Sequence, residues 1–436
     1  MTRHIRTRTV ASFLILAALA AAAGAADNAA LSPSGTSASA VTWTLEQVAA
    51  IAVSHHPLVR QADAQTAAAA ARRGQAESAW YPFIDLSTGV SRTRAFSVQA
   101  QRSATVRSEF LQADLSVVLT DFGRTRTDVN RAAALVSASR EDGTSVREDV
   151  GYNAKVAYFN VLRAVRSLEV SRETLRQRES LLRQAQAFYE AGIRAKIDAI
   201  RAEASLYDAR AQLTQAENNL RVARITLLNR MGIEGPADYI LTDSLASEKI
   251  PGTIADWVAE AEKNRPELKS LREQERAAAY SVRYARGGYL PSLTGSAGYG
   301  YAAEDMPLQE NYLLGVTLTY PLFSGFLTRE QVREALASLA SIRHGLTDSR
   351  RQVRLQVEQA GYGVGEAAER IVARTKERDA SEENLRLATA RYEVGVGDII
   401  EMIDAQVQMT TADTAAIDAQ YDYSVSLATL LRAMGR

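Results

Sequence analysis

Four histidines (His4, His55, His56 and His344) are the whole imidazole stock of this 436-residue chain, and it contains no cysteine. Metal binding and nucleophilic catalysis need such side chains at fixed spacings: two histidines one helical turn apart, paired cysteines, or a serine with a histidine and an acid. None of these spacings occurs. His55 and His56 stand side by side before Pro57, and His344 is alone in a helical stretch. Gly361, Gly363 and Gly365 imitate a glycine-rich phosphate loop, but no strand pattern precedes them and they fall mid-helix. They read as close helix packing or a bend. The expectation is therefore a protein with no catalytic residues, no cofactor and no metal centre. Lys+Arg and Asp+Glu balance at 51 each, which argues against nucleic acid as a partner.

With no chemistry to position, the question becomes what the elements build. The N-terminus carries Arg3, Arg6 and Arg8, then an apolar run over 10–23, then Ala23-Gly24-Ala25-Ala26. That is the pattern of a secretory signal peptide over 1–26, the rival reading being an uncleaved anchor. Residues 27–42 are rich in Ser and Ala and read as a flexible lead-in. An exported chain without cysteine relies on no disulfide and lacks the residue that would carry an N-terminal lipid. Beyond the signal no run of about 18 apolar residues predicts a membrane helix.

The rest is written twice. Pro57 and Pro266 stand 209 positions apart, as do Pro82 and Pro291. Phe188-Tyr189-Glu190-Ala191-Gly192 answers Arg391-Tyr392-Glu393-Val394-Gly395 at an offset of 203, and Met231-Gly232 answers Met434-Gly435 at the same offset. Such a period is a duplicated unit rather than a solenoid repeat. The predicted units are 43–235 and 257–436, joined by a linker over 236–256.

Each unit reads helix, strand, strand, long helix, returning helix. The first has helix 44–79, strands near 83–91 and 110–120, and helices 124–190 and 194–230. The second has helix 255–288, strands near 292–301 and 311–320, and helices 327–393 and 397–434. A helix of some 65 residues is on the order of 100 Å long, a length used by coiled coils and envelope-crossing proteins. Leu206, Ala209, Leu213, Ala216, Leu220, Ala223 and Leu227 follow a 3-4 spacing that makes a coiled-coil seam. The last helix carries two stripes, one through Ile403, Thr410, Ile417 and Tyr421, the other through Met402, Ala405, Met409, Ala412, Ala416 and Ala419. Two seams let one helix pack a neighbour on each side, as in a wall of helices curved into a tube. An ordinary large helical bundle would use the same pattern.

The strands alternate. Ile84, Leu86 and Val90 interleave with Asp85, Ser87, Gly89 and Ser91, and Tyr312, Leu314, Val316 and Leu318 interleave with Gly315, Thr317 and Thr319. One apolar and one polar face over about ten residues, with tyrosines toward the ends, is the pattern of a transmembrane β-barrel wall; a half-buried soluble hairpin shares it. Four strands cannot close a barrel, and hydrocarbon tolerates no open edge, so membrane strands here require several chains to share one barrel. The polar stretches 92–109 and 302–310 are expected to be loops on the cell exterior.

On these residues the chain resembles the TolC-type outer-membrane efflux channel family, from Trp43 to Gly435. The resemblance rests on the doubled prolyl turns, the strand pairs after Pro82 and Pro291, Leu119-Thr120-Asp121-Phe122-Gly123 with Pro321-Leu322-Phe323-Ser324-Gly325, and the hairpin signatures ending in Gly192 and Gly395. It implies a mostly α fold with a small β part: duplicated long-helix hairpins forming a trimeric α-helical barrel continued by a shared 12-stranded transmembrane β-barrel. It further implies a homotrimer in outer-membrane lipid, extending into the periplasm and serving as the exit duct of a tripartite efflux or type I secretion system, with a periplasmic adaptor protein and an inner-membrane pump. The alternative is an exported coiled-coil adaptor or structural protein without a pore. By the same resemblance Glu401 and Asp404, three apart on one helix face, line a pore constriction. Asp198 and Tyr392 form a gating network, and the tips at Gly192 and Gly395 dock the adaptor. The family prototype's tip arginine falls on Gly397, so that network is thinner here or is replaced by Arg194 or Lys196 from the other hairpin. As bare residues, without the resemblance, Glu401 and Asp404 read as a solvated helix face.

Overall fold

The computed structural model describes residues 41–97, 101–236, 238–242, 250–304 and 307–436. The expected signal peptide and nearly all of the lead-in lie outside the described residues, as does 243–249 of the expected linker. Thr44 opens the fold with a reciprocal capping box on Gln47, and α1 runs Leu45–His55. Pro57 then starts α2 (Pro57–Glu77), with the His56 ring accepting the backbone N–H of Leu58. Strands β2 (Phe83–Ser97) and β3 (Arg102–Thr120) follow, after the short β1 (Val41–Trp43) that precedes α1. Then come α3 (Arg124–Glu190) and α4 (Lys196–Met231).

The second half repeats the series. After β4 (Tyr239–Leu241), α5 (Ile254–Asn264) has its own capping box, Thr253 with Asp256, and Pro266 opens α6 (Pro266–Arg286). Next are β5 (Ser292–Glu304), β6 (Gln309–Thr319), α7 (Leu327–Glu393) and α8 (Ile399–Met434). α3 and α7 have 67 residues each, so each is about 100 Å long. α4 and α8 return along them for 36 residues apiece and end on left-handed Gly232 and Gly435. Strand β4, inside the stretch read as a linker, pairs with β1.

The large sheet has the order β2-β3-β5-β6, all antiparallel. Its register aligns the apolar positions of all four strands on one face: Ile84 opposite Leu115, Leu115 opposite Ala297, Ala297 opposite Leu314. The next row on that face is Leu86, Ala113, Tyr299 and Tyr312. The opposite face carries Asp85, Asp114 and Gly298, then Ser87, Gln112 and Gly300. The expected loop 92–109 is mostly strand, because β2 and β3 stay paired as far as Ser97 and Arg102. Past the apolar band charged and polar side chains such as Arg92, Arg94 and Arg107 enter the apolar face, but ladder hydrogen bonds need only backbone, so pairing continues. The second hairpin likewise stays paired to Ala302 and Gln309.

Two αL residues in succession turn the chain from sheet into each long helix. Phe122 (φ 54°) precedes Gly123 (φ 93°) in the first half, and Gly325 (φ 62°) precedes Phe326 (φ 67°) in the second. A bulky residue in this region is strained by roughly 1 kcal/mol or more, so both turns hold a phenylalanine against its backbone preference.

The core follows the helix seams. Val48, Ala52, Ala154, Tyr158, Leu227 and Met231 are buried together where α1, α3 and α4 meet. A second cluster joins Val258, Leu268, Val357, Leu430 and Met434 from α5 to α8. Within α7, Gly361 allows close packing, since a Cβ there would lie 3.2 Å from Ile254 and Trp257, whereas Gly363 and Gly365 face open space. The stripe Met402, Ala405, Ala412, Ala416 and Ala419 of α8 is buried, and α8 packs against both α7 and α3. Among the described residues no helix is long and apolar enough to cross a membrane.

Candidate functional site: the hairpin tips, their seam and the sheet face

Each hairpin tip is built by a left-handed glycine. Gly192 (φ 71°) follows the end of α3, and Ile193 N–H donates back to the Phe188 carbonyl at 2.9 Å. Gly395 (φ 84°) follows α7, and the N–H groups of Val396 and Gly397 both return to the Arg391 carbonyl, at 3.0 and 2.8 Å. These bonds satisfy the last helical carbonyls. A Cβ on Gly192 or Gly395 would meet nothing within 4 Å, so both tips project into open space. Asp398 caps α8 by accepting the Ile400 N–H at 3.3 Å.

Behind the tips lies a small core drawn from both hairpins: Leu181, Ala185 and Ala202 from the first, Tyr392, Ile399 and Met402 from the second. Tyr392 is fully buried, with the Phe188 ring 5.8 Å away. Asp198, in the first turn of α4, is buried as well. Burial pushes the Tyr392 phenol up, the Asp198 charge adds to this, and Arg194 opposes it. The pair expected to form a gating network is thus neighbouring, but the Tyr392 hydroxyl has no hydrogen-bond partner. The polar link at the tips is instead Arg194, whose Nη2 donates to the Gly397 carbonyl at 2.7 Å and whose guanidinium lies 5.4 Å from the Tyr392 ring centroid.

Glu401, in the first turn of α8, and Asp404, in the next, stand on its exposed side, away from that core. Gln408 and Thr411 continue the strip, and Arg391 holds Glu401 at 3.3 Å. The structure brings Glu401 and Asp404 onto one face, as their spacing requires, and leaves that face uncovered within the chain. Among the described residues no three His, Cys, Asp or Glu side chains cluster to hold a metal ion.

The seam between the hairpins, α3 against α8, sets polar contacts among its apolar ones. Thr174 and Thr410 hydroxyls meet at 3.1 Å, Tyr152 and Thr429 at 3.0 Å, and buried Arg178 donates to Gln406. It ends in an ionic knot that sequence reading did not find. Arg432 reaches Glu148 at 3.1 Å and Asp149 at 2.7 Å on α3, and Glu267 on α6 at 2.6 Å. Arg265, at the break before α6, bonds Gln356 on α7 and lies 3.4 Å from Glu267. Burial holds the Glu148 carboxyl above its ordinary range against the pull of Arg432. Burial pushes Glu267 the same way, but its bonds to Arg432 and nearby positive charge outweigh this and leave it below the ordinary range. A comparison of equivalent positions could have flagged the knot: 203 residues before Arg432 stands Asn229.

At the other end, the apolar sheet face is bare. Leu86, Tyr312 and Leu314 are 74%, 78% and 85% exposed, and β2 and β6 are unpaired on their outer sides. Around the turns beneath the sheet Tyr81, Tyr320, Leu322, Phe323 and Phe326 are exposed too. An apolar surface this continuous marks a membrane or protein contact.

Known proteins agree with this geometry. The chain is 26% identical to the outer membrane protein TolC of Vibrio cholerae over 92% of its own length and 93% of that protein. It is also 26% identical to the outer membrane efflux protein BepC of Brucella suis, over 83% and 78%. Among solved structures, the outer-membrane channel CmeC of Campylobacter jejuni superposes with a TM-score of 0.79 at 19% identity, covering 90% of this chain and 85% of that one. CusC superposes at 0.80 and 19%, covering 90% and 92%. A family described as outer membrane efflux protein matches residues 48–232 and 257–436, the two halves in turn, and the chain belongs to that family of outer-membrane efflux channels.

Proposed function

We propose that the protein is the passive outer-membrane exit duct of a tripartite efflux or type I secretion system and works as a homotrimer. The observation that carries this is the four-stranded sheet: one face apolar and exposed, both edges unpaired. Hydrocarbon would cover the face, and only other chains can satisfy the edges within it. Three copies, β6 of one beside β2 of the next, would close a twelve-stranded barrel, and their long hairpins would continue it as a twelve-helix tunnel into the periplasm. The units 43–235 and 257–436, with 236–256 between them, then take alternate places around the axis, behind a signal peptide over 1–26.

Within that duct Glu401 and Asp404 supply the constriction, six carboxylates around one axis. Asp198 and Tyr392 belong to the closed tip, Asp198 through its charge and Tyr392 through its ring. The glycine-marked tips at Gly192 and Gly395 offer exposed backbone to a periplasmic adaptor, which joins the duct to an inner-membrane pump. The test is fractionation with unheated gel electrophoresis. Protein from the outer-membrane fraction should run as a heat-sensitive species of about three chains. A monomer that partitions with soluble periplasmic proteins would overturn the reading.

A further inference from the structure

The apolar face of the large sheet changes character in a fixed order from the helix end outward. On β5 and β6 the rows are Leu293 with Leu318, Gly295 with Val316, Ala297 with Leu314, and then Tyr299 with Tyr312. Tyr301 follows, opposite Glu310, with its hydroxyl 3.2 Å from that of Tyr299. Tyrosines closing an apolar band mark the level where hydrocarbon gives way to headgroups. α2 precedes β2 and α3 follows β3, so the turn between these strands lies at the end of the sheet away from the helices.

Beyond the tyrosines the β2–β3 ladder runs on alone, past its last pairing with β5 at Ser108. The face that carried Ile84, Leu86 and Val90 now carries Arg92 and Arg94, and Arg107 stands directly opposite Arg92. Directly opposed residues hold their Cβ atoms about 5 Å apart, and like charges placed so repel. Arg94 is the diagonal neighbour of Arg107, about 7 Å away. All three are exposed. Glu109, in the row before, pairs with Arg107, so three cations on this ribbon face one carboxylate. The second hairpin has no counterpart: where β5 and β6 end, the same face carries Ala303 and Glu310.

We propose that Arg92, Arg94 and Arg107 seat the phosphate of a phosphorylated glycolipid in the outer leaflet, with its acyl chains on the apolar rows beneath. A guanidinium offers phosphate two parallel N–H donors, and a phosphate has oxygens enough to be shared between neighbouring arginines. An anion seated across Arg92 and Arg107 turns their repulsion into attraction. Continuity selects the lipid over a free anion: the strip that ends in these arginines begins with Ile84, Leu86 and Val90, which only an acyl chain would cover. The site needs the sheet to stand in lipid, as the duct reading holds, but one hairpin of one chain makes the phosphate contact.

The experiment titrates the full-length protein in detergent with lipid A carrying two phosphates, and with the same lipid after both phosphates are removed. Bound lipid is counted by native mass spectrometry. Wild type should prefer the phosphorylated form about tenfold or more, and the preference should shrink as salt rises. Arg94→Gln should weaken binding of that form about fivefold. Arg92→Gln, Arg94→Gln and Arg107→Gln together should abolish the preference, while Glu109→Gln, which removes a competing carboxylate, should sharpen it. Equal binding of the two lipids by wild type would overturn the site without recourse to any variant. So would a preference that survives in the triple variant, or displacement of the lipid by inorganic phosphate at matched concentration, which would mark a free-anion site. An inserted trimer blind to the phosphates would fail this site alone, whereas a chain found only in the soluble fraction would fail the duct reading and the site with it.

Discussion

Arg432, in the last turn of α8, donates to Glu267, in the first turn of α6, at 2.6 Å, and with the same guanidinium reaches Asp149 on α3 at 2.7 Å. One side chain therefore ties three helices and both halves of the chain together. The equivalent positions in the first half are Asn229 and Leu58, so the knot exists once per chain. Arg432→Met should leave the mostly buried Glu148 without its ion-pair partner and Glu267 with Arg265 alone, at 3.4 Å. Breaking such a group costs about 3 kcal/mol, the low end of the usual range because Asp149 is half exposed. Thermal melting in detergent should show a clear loss; an unchanged midpoint would mean the knot is mechanically idle.

The two glutamates of the knot should respond to pH in opposite senses. Glu148 is held above its ordinary range, so its contribution favours the fold when protonated and is lost as pH rises through the raised value. Glu267 is held below, so its contribution is present at neutral pH and is lost as pH falls through the lowered value. Glu148→Gln should therefore melt at or above wild type at about pH 8 and lose that advantage toward about pH 4. Glu267→Gln should melt lower at about pH 8, with the gap closing on acidification. Parallel curves for both variants would contradict the assignment.

Glu401 and Asp404 share an exposed face with no covering element in the chain. If three copies turn this face inward, the ring concentrates cations, because a narrow low-dielectric wall focuses its field. The double variant Glu401→Ala, Asp404→Ala should lose cation preference and block by trivalent cations. Reversal potentials in asymmetric salt check this, and an unaltered preference would return the pair to an ordinary solvated surface.

Gly192 and Gly395 are left-handed but have open space around them. Tryptophan at either site costs only about 1–2 kcal/mol of local strain, so the proposed trimer should still form. Export should fail, since the bulk projects into the proposed adaptor seat. Undiminished export by the doubly substituted protein would remove the tips from the docking surface.

Much of this architecture is legible from pattern alone. Alternation in Ile84–Val90 and Tyr312–Leu318 assigns the apolar face, and the register then stacks those residues in continuous rows. The 3-4 spacing through Leu206 and Leu227 finds a seam whose members are buried or half-buried. Strand ends are less visible: Arg92, Arg94 and Arg107 look like a loop, yet their backbones remain paired. The tip network is readable as a place rather than as a set of bonds. Its hydroxyl, on Tyr392, is unpaired, and the bond that forms goes from Arg194 to a carbonyl, which no side-chain pattern can reveal. The Arg432 knot gathers residues from three helices far apart in sequence, so only packing brings it into view.

Conduction tests the central claim most directly. Purified protein reconstituted into planar lipid bilayers should insert as discrete units, each giving a reproducible single-channel current step. A protein that sediments as a monomer in detergent and produces no current steps at any concentration would contradict the account.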